Sequence, residues 1–115
     1  MAMAPCARVI YWRARPGQFD AYTRYLREVV EPIDHEAQRR GDLLGFTTLV
    51  DAAPDAPWTH MRLFTFENPA QRANMVAALA QAAAVLTPAT QERAARAAHV
   101  ATLRERIGEA DFDIL

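Results

Sequence analysis

Residues 7–17 read Ala7-Arg8-Val9-Ile10-Tyr11-Trp12-Arg13-Ala14-Arg15-Pro16-Gly17. Val, Ile, Tyr and Trp in succession favour a strand. Val9 and Tyr11 fall on one side of it, and Ile10, Trp12 and Ala14 on the other. Both sides are therefore partly apolar, as in a strand covered on both faces. Pro16-Gly17 ends the strand in a turn. From Gln18 onward Phe19, Tyr22, Leu26, Val29, Val30 and Ile33 recur at three- and four-residue spacing, which marks an amphipathic helix. Pro32 lacks an N–H and should kink or restart this helix, and Gly41 is a natural stop.

Further along, residues 43–51 (LLGFTTLVD) and 58–67 (WTHMRLFTFE) read as two more strands. The prolines and Asp of the intervening loop suit an antiparallel hairpin. Asn68-Pro69 with Gln71 carries the signature of a helix N-terminus. The next helix runs through Met75, Val76, Leu79 and Leu86, and Thr87-Pro88 starts another, expected to reach about Ile107 with Gly108 beyond it. The tail, residues 111–115, is either a short strand or a docking arm.

Strand, helix, strand, strand, helix, helix is an α+β order. Its right-handed opening crossover gives a ferredoxin-like split βαβ with an antiparallel sheet and helices on one face. The other face, with Tyr11 or Trp12, Phe46 or Leu49, and Trp58 with Phe64, would be an apolar surface too large for a soluble monomer. A twofold homodimer, sheet against sheet, is the expected solution.

The strand from Val9 to Gly17, the helix after it and the hairpin ending at Asn68-Pro69 resemble the dimeric α+β barrel superfamily, which includes antibiotic-biosynthesis monooxygenase-like proteins. The resemblance spans about residues 7–86. It implies one ferredoxin-like dimeric α+β barrel domain over residues 1–115. The helix expected after Pro88 is an extra C-terminal element. A pattern of elements of this kind specifies fold better than function.

Composition narrows the chemistry. The chain has 115 residues, 51% apolar and 23% charged, with a formal net charge of −1. That balance provides no field for nucleic acid or an anionic membrane, and no apolar run is long enough to span a bilayer. Serine and lysine are absent, which removes Ser-nucleophile and Schiff-base mechanisms. Cys6 is the single cysteine and reads as an incidental thiol. Residues 1–7 lack the pattern of a secretory leader. The expected compartment is the cytoplasm, and residues 1–5 look disordered.

On the third strand His60 and Arg62 alternate with Met61 and Leu63. If Met61 and Leu63 pack on the helices, His60 and Arg62 point into the barrel interior with Trp58 and Phe64. Tyr11 and Arg13 join them if Trp12 and Ala14 face the helices. Such a pocket, with aromatic walls, two cations, a phenol and an imidazole, suits a planar or anionic small molecule. A polar dimer interface explains the same residues equally well. Arg96 falls in the apolar stripe of the last helix, where it should snorkel, find a carboxylate or hold an anion. His99 borders that stripe; a lone helical histidine is far more often structural than a haem ligand. Glu28, Glu31 and His35 line one face of the first helix with metal-like spacing, and Asp34 is nearby; this face is opposite the helix's apolar stripe, so it reads as solvated and no metal is expected.

The resemblance implies two enzyme branches. The haem-degrading one is disfavoured, because the first strand offers no Asn and the chain after the third strand has no His before His99. In the cofactor-independent monooxygenase branch, on an aromatic or polyketide-like substrate, His60 would accept a proton and Arg62 stabilise an enolate-like anion. The alternative is a non-catalytic ligand-binding or dimerisation module.

Overall fold

The first strand, β1 (Cys6–Ala14), runs through the middle of the sheet. It belongs to a computed structural model that describes residues 5–115; the rest of the start expected to be disordered lies outside the described residues. Gly17, at φ +76°, closes the turn into α1 (Phe19–Tyr25), a backbone conformation that a side chain disfavours. A π-helical turn at Leu26–Val30 joins α1 to α2 (Glu31–Arg39) without interruption. Pro32 explains it: its ring crowds the carbonyl four residues back, and widening the preceding turn relieves the clash. Gly41 follows at φ +81°.

Next come β2 (Gly45–Val50) and β3 (His60–Phe66), paired antiparallel as a hairpin, with Phe46 opposite Phe64. Asn68 caps α3 (Pro69–Ala73): its Oδ1 accepts the Gln71 N–H at 2.8 Å, and Gln71 Oε1 accepts the Glu67 N–H at 2.8 Å. The helices α4 (Met75–Leu86) and α5 (Thr90–Ala101) follow.

The chain ends in β4 (Arg104–Asp113), antiparallel to β1. This corrects the sequence expectation of a helix reaching Ile107 and a strand confined to the tail. Leu-Arg-Glu-Arg-Ile has good helical propensity, but a free β1 edge outweighs it. Leu103 is buried, its carbonyl accepts the Arg15 N–H at 2.9 Å, and Arg13 and Arg8 form cross-strand ion pairs with Glu105 and Asp111. A bulge at Ile107, between the Tyr11–Gly108 and Trp12–Arg106 pairs, resets the alternation.

The sheet order is β2-β3-β1-β4, all antiparallel, which is the ferredoxin-like α+β arrangement. The helices lie on one face. Cys6, Ile10, Phe64 and Phe66 of the sheet pack there with Ala37, Met75 and Ala82, so Cys6 is a core residue at the start of its strand. A second cluster joins Tyr22 and Leu26 to Leu103 and Trp12. The smallest Cα extent is 17 Å. That leaves room for the sheet and one helix layer, given spacings of about 10 Å. The opposite face carries Val9, Tyr11, Leu49, Met61 and Leu63 with no helix over it. Among the described residues no helix is long and apolar enough to cross a membrane.

Candidate functional site

Strand alternation decides which sequence-predicted residues can meet. In β3, His60, Arg62, Phe64 and Phe66 are buried, whereas Met61, Leu63 and Thr65 are half-buried. Trp12 pairs with His60 and Ile10 with Arg62, while Tyr11 pairs with Met61. Directly opposed residues share a face. His60, Arg62 and Phe64 therefore lie under the helices, and Tyr11, Arg13 and Trp58 lie on the open face. The expected pocket uniting Tyr11 with His60 and Arg62 does not form: the sheet runs between them. The physical reason is that β3 hides its polar side chains inside the protomer and turns Met61 and Leu63 outward.

His60 occupies a closed hydrogen-bond chain. The Ala14 N–H donates to Thr59 Oγ1 at 2.7 Å, and Thr59 Oγ1 lies 2.7 Å from His60 Nδ1. On the other side His60 Nε2 lies 2.9 Å from Thr23 Oγ1, which donates to the Phe19 carbonyl at 2.8 Å. Thr23 spends its single proton on that carbonyl, so His60 Nε2 must donate and Nδ1 must accept from Thr59. One neutral tautomer satisfies every group. The rings of Phe19 and Tyr22 stand 4.8 Å and 4.5 Å from the imidazole. Burial pushes the His60 pKa down to about 4, so the ring is uncharged at neutral pH.

Arg62, two residues further along the same face of β3, has a partner of its own. It pairs with Asp34 of α2, and both side chains are almost wholly buried. Its guanidinium also lies 4.9 Å from the centre of the Phe64 ring, and its Nε has no partner. Burial raises the Asp34 pKa to about 6 despite the pull of Arg62. Asp34, expected only near the solvated face of the helix, is turned inward. The π-helical turn advances the helix phase, so the inner stripe passes from Tyr22 and Leu26 to Asp34 and Ala37. Glu28 and His35 remain exposed. Among the described residues no three His, Cys, Asp or Glu side chains converge to hold a metal ion.

Beside His60 a cleft of about 310 Å³ opens between the α1–α2 helix and β2. Leu26, Phe46 and Val50 supply apolar wall, Thr23 and Thr48 hydroxyls, and Glu31 and Arg27 one charge of each sign. The π-helical turn forms its rim, and such turns often mark functional positions. Sites for small molecules occupy about 300–1,000 Å³, so the cleft suits a small ligand with few rings.

The remaining candidates are scattered. Tyr11 lies 5.4 Å from Trp58 ring to ring, and Arg13 is tied to Glu105 at 2.7 Å. Arg96 donates to Thr87 Oγ1 at 2.8 Å and reaches Glu92 at 3.1 Å. His99 is exposed, 5.6 Å from the Tyr25 ring. Thr23 and Thr59 were not singled out in the sequence reading, and Glu31 and Asp34 figured there only in connection with metal-like spacing. A threonine one turn beyond Phe19 on the inner side of the helix was the available signal for Thr23.

The whole fold has counterparts among solved structures. The chain superposes on NE2512, a protein of unknown function from Nitrosomonas europaea, with a TM-score of 0.64 and 20% identity over 100% of this chain and 93% of that one. HapK from Hahella chejuensis gives 0.62 at 14% identity, covering 96% and 92%. A protein from Chloroflexus aurantiacus J-10-fl, provisionally described as an antibiotic biosynthesis monooxygenase, gives 0.51 at 15% identity, covering 96% and 93%. At these identities the likeness establishes a shared ferredoxin-like α+β fold, the one the sequence resemblance implied. No protein-family model and no curated protein sequence matches the chain.

Proposed function

We propose that the protein is a homodimer that binds a small planar molecule, of aromatic or polyketide-like type, in the cleft beside His60. One observation carries this reading: the cleft sets apolar walls from Leu26, Phe46 and Val50 around the hydroxyls of Thr23 and Thr48. Thr23 is itself held in place by the His60 chain. Apolar walls with a few fixed polar groups are how pockets orient flat, oxygenated ligands. The pairing of two copies rests on the open face, where Tyr11, Met61 and Leu63 are only half-buried and Leu49 is exposed.

The test is a titration with 1,8-dihydroxyanthrone, followed calorimetrically. The wild type should bind saturably, and Val50→Trp, which fills the cleft from an exposed position, should abolish binding. Equal affinity in both proteins, or no saturation in the wild type, would overturn the proposal.

Cofactor-independent oxygenation is the second reading, favoured by the fold shared with the Chloroflexus aurantiacus protein. In such chemistry the substrate supplies the electrons and the protein removes a proton. A neutral His60 with a pKa of about 4 and both nitrogens engaged is a weak proton acceptor. Arg62 is committed to Asp34. Glu31, on the cleft wall, is the better-placed base, and His60 acts by positioning Thr23. Oxygen uptake with the same anthrone should then fall at least tenfold in Glu31→Gln. If the wild type binds the anthrone but consumes no oxygen, the protein is a binding module.

A further inference from the structure

Another cavity, about 190 Å³, lies under α5, on the far side of the π-helical turn from the His60 cleft. Its walls are apolar: Val29, Val30 and Ile33 from the long helix, Val100 and Ala97 from α5. Three arginines, Arg93, Arg96 and Arg104, also line it, and among the described residues no Asp or Glu does. Like charges gathered at an apolar wall repel one another, and a protein offsets that cost with counter-charge.

The three arginines are not equally occupied. Arg93 donates to the Thr87 and Pro88 carbonyls at 2.7 and 2.8 Å, closing the C-terminal end of α4. Arg104 donates to Tyr22 Oη at 3.0 Å and stacks 3.6 Å from the centre of the Trp12 ring. Arg96 donates to Thr87 Oγ1 and meets Glu92 on the outer surface of the same helix. Each guanidinium has five N–H donors. Donors are left over on Arg96 and Arg104, whose single partners at the cavity are neutral hydroxyls.

We infer that this cavity is a binding site for a small apolar carboxylate of about the size of benzoate, its ring among Val30, Ile33 and Val100 and its carboxylate between Arg96 and Arg104. Size supports the class: an apolar cavity of about 150 Å³ takes a benzene ring, and the excess here accommodates a carboxylate. Charge supports it too, because an anion is the one group that relieves the arginine cluster and uses its spare donors. The small volume argues against a large anion such as a nucleotide. Helix α5 roofs the cavity while burying none of its own residues, so it can shift to admit a ligand at little packing cost. The site is separate from the His60 cleft and does not depend on what that cleft binds.

The test is a titration of the full chain with sodium benzoate, followed by calorimetry and by Trp12 fluorescence, with benzamide as the neutral control. Benzoate should bind, and benzamide at least tenfold more weakly. Arg96→Gln removes the anchor, and Ala97→Phe fills the cavity from an exposed position. Both should weaken benzoate at least tenfold with unchanged circular dichroism, while Val50→Trp in the other cleft leaves it unaltered. Equal affinity for benzamide, or undiminished benzoate binding in Ala97→Phe, would overturn the site. Loss of benzoate binding in Val50→Trp would also overturn it, placing the ligand in the other cleft.

Discussion

Arg62 of β3 and Asp34 of α2 form an ion pair sealed between sheet and helices, with side chains 4% and 1% exposed. The pair ties the helix that walls the His60 cleft to the strand that carries His60. Removing one partner leaves a buried charge alone, which costs about 3–5 kcal/mol, whereas replacing both with apolar groups of similar volume is often neutral. Asp34→Ala should therefore lose that much stability in urea unfolding, and the double change Asp34→Leu with Arg62→Met should recover most of it. An equally unstable double variant would show that the charges themselves hold the helix.

Two buried groups set opposing pH dependences. Burial holds Asp34 at about 6, above its ordinary 3.8, so between these values the folded chain keeps a proton that the unfolded chain releases. Its stabilising effect is present at low pH and is lost as pH rises through about 6. Burial holds His60 at about 4, below its ordinary 6.5, so the unfolded chain binds a proton that the folded chain refuses. That effect weakens the fold as pH falls from 6.5 toward 4. Each slope is on the order of 1.4 kcal/mol per pH unit within its window. Unfolding free energy of the wild type should be nearly level between pH 4 and 6 as far as these two groups are concerned. Relative to it, Asp34→Asn should gain stability with rising pH, and His60→Gln should lose it. Parallel curves for all three proteins would contradict this pairing of effects.

The turn at Gly17 has a smaller, local signature. Its φ of +76° is accessible to glycine, and a Cβ there would meet no neighbour within 4 Å. Gly17→Ala should thus cost about 1 kcal/mol from backbone conformation alone. The measurement is the urea midpoint at unchanged slope. A shift several times larger would point to a packing role.

The open sheet face predicts its own assembly. Leu63→Glu places a charge among Val9, Met61 and Tyr11 without touching the core beneath the helices. Light scattering after size exclusion should read two chains for the wild type and one for the variant, with matching circular dichroism. A wild type that stays monomeric at high concentration would contradict the pairing.

The order of elements was legible because each carries a local signal. The period shifts from two to about four at Phe19, and Asn68 with Gln71 announces a helix start. Two features were not legible, for the same kind of reason. The segment after Leu103 has helical propensity, and only the free edge of β1, distant in sequence, makes it a strand. The face of β3 was ambiguous because His60 and Arg62 alternate with Met61 and Leu63, and the usual rule sends the apolar set inward. Here the polar set goes inward because Thr23, Thr59 and Asp34 are there to satisfy it. Two of those three partners come from the helix, and a π-helical turn rotated Asp34 into place. The candidate residues Tyr11 and His60 were each sensible alone; their separation by the sheet could not be read without the register.

The location of the ligand relative to the sheet is the heart of this account, and nuclear Overhauser contacts from a bound anthrone to assigned methyl groups test it most directly. Contacts to the methyls of Leu26, Thr48 and Val50 are predicted. Contacts to Val9 and Leu63 instead would place the ligand between the two sheets and contradict the account.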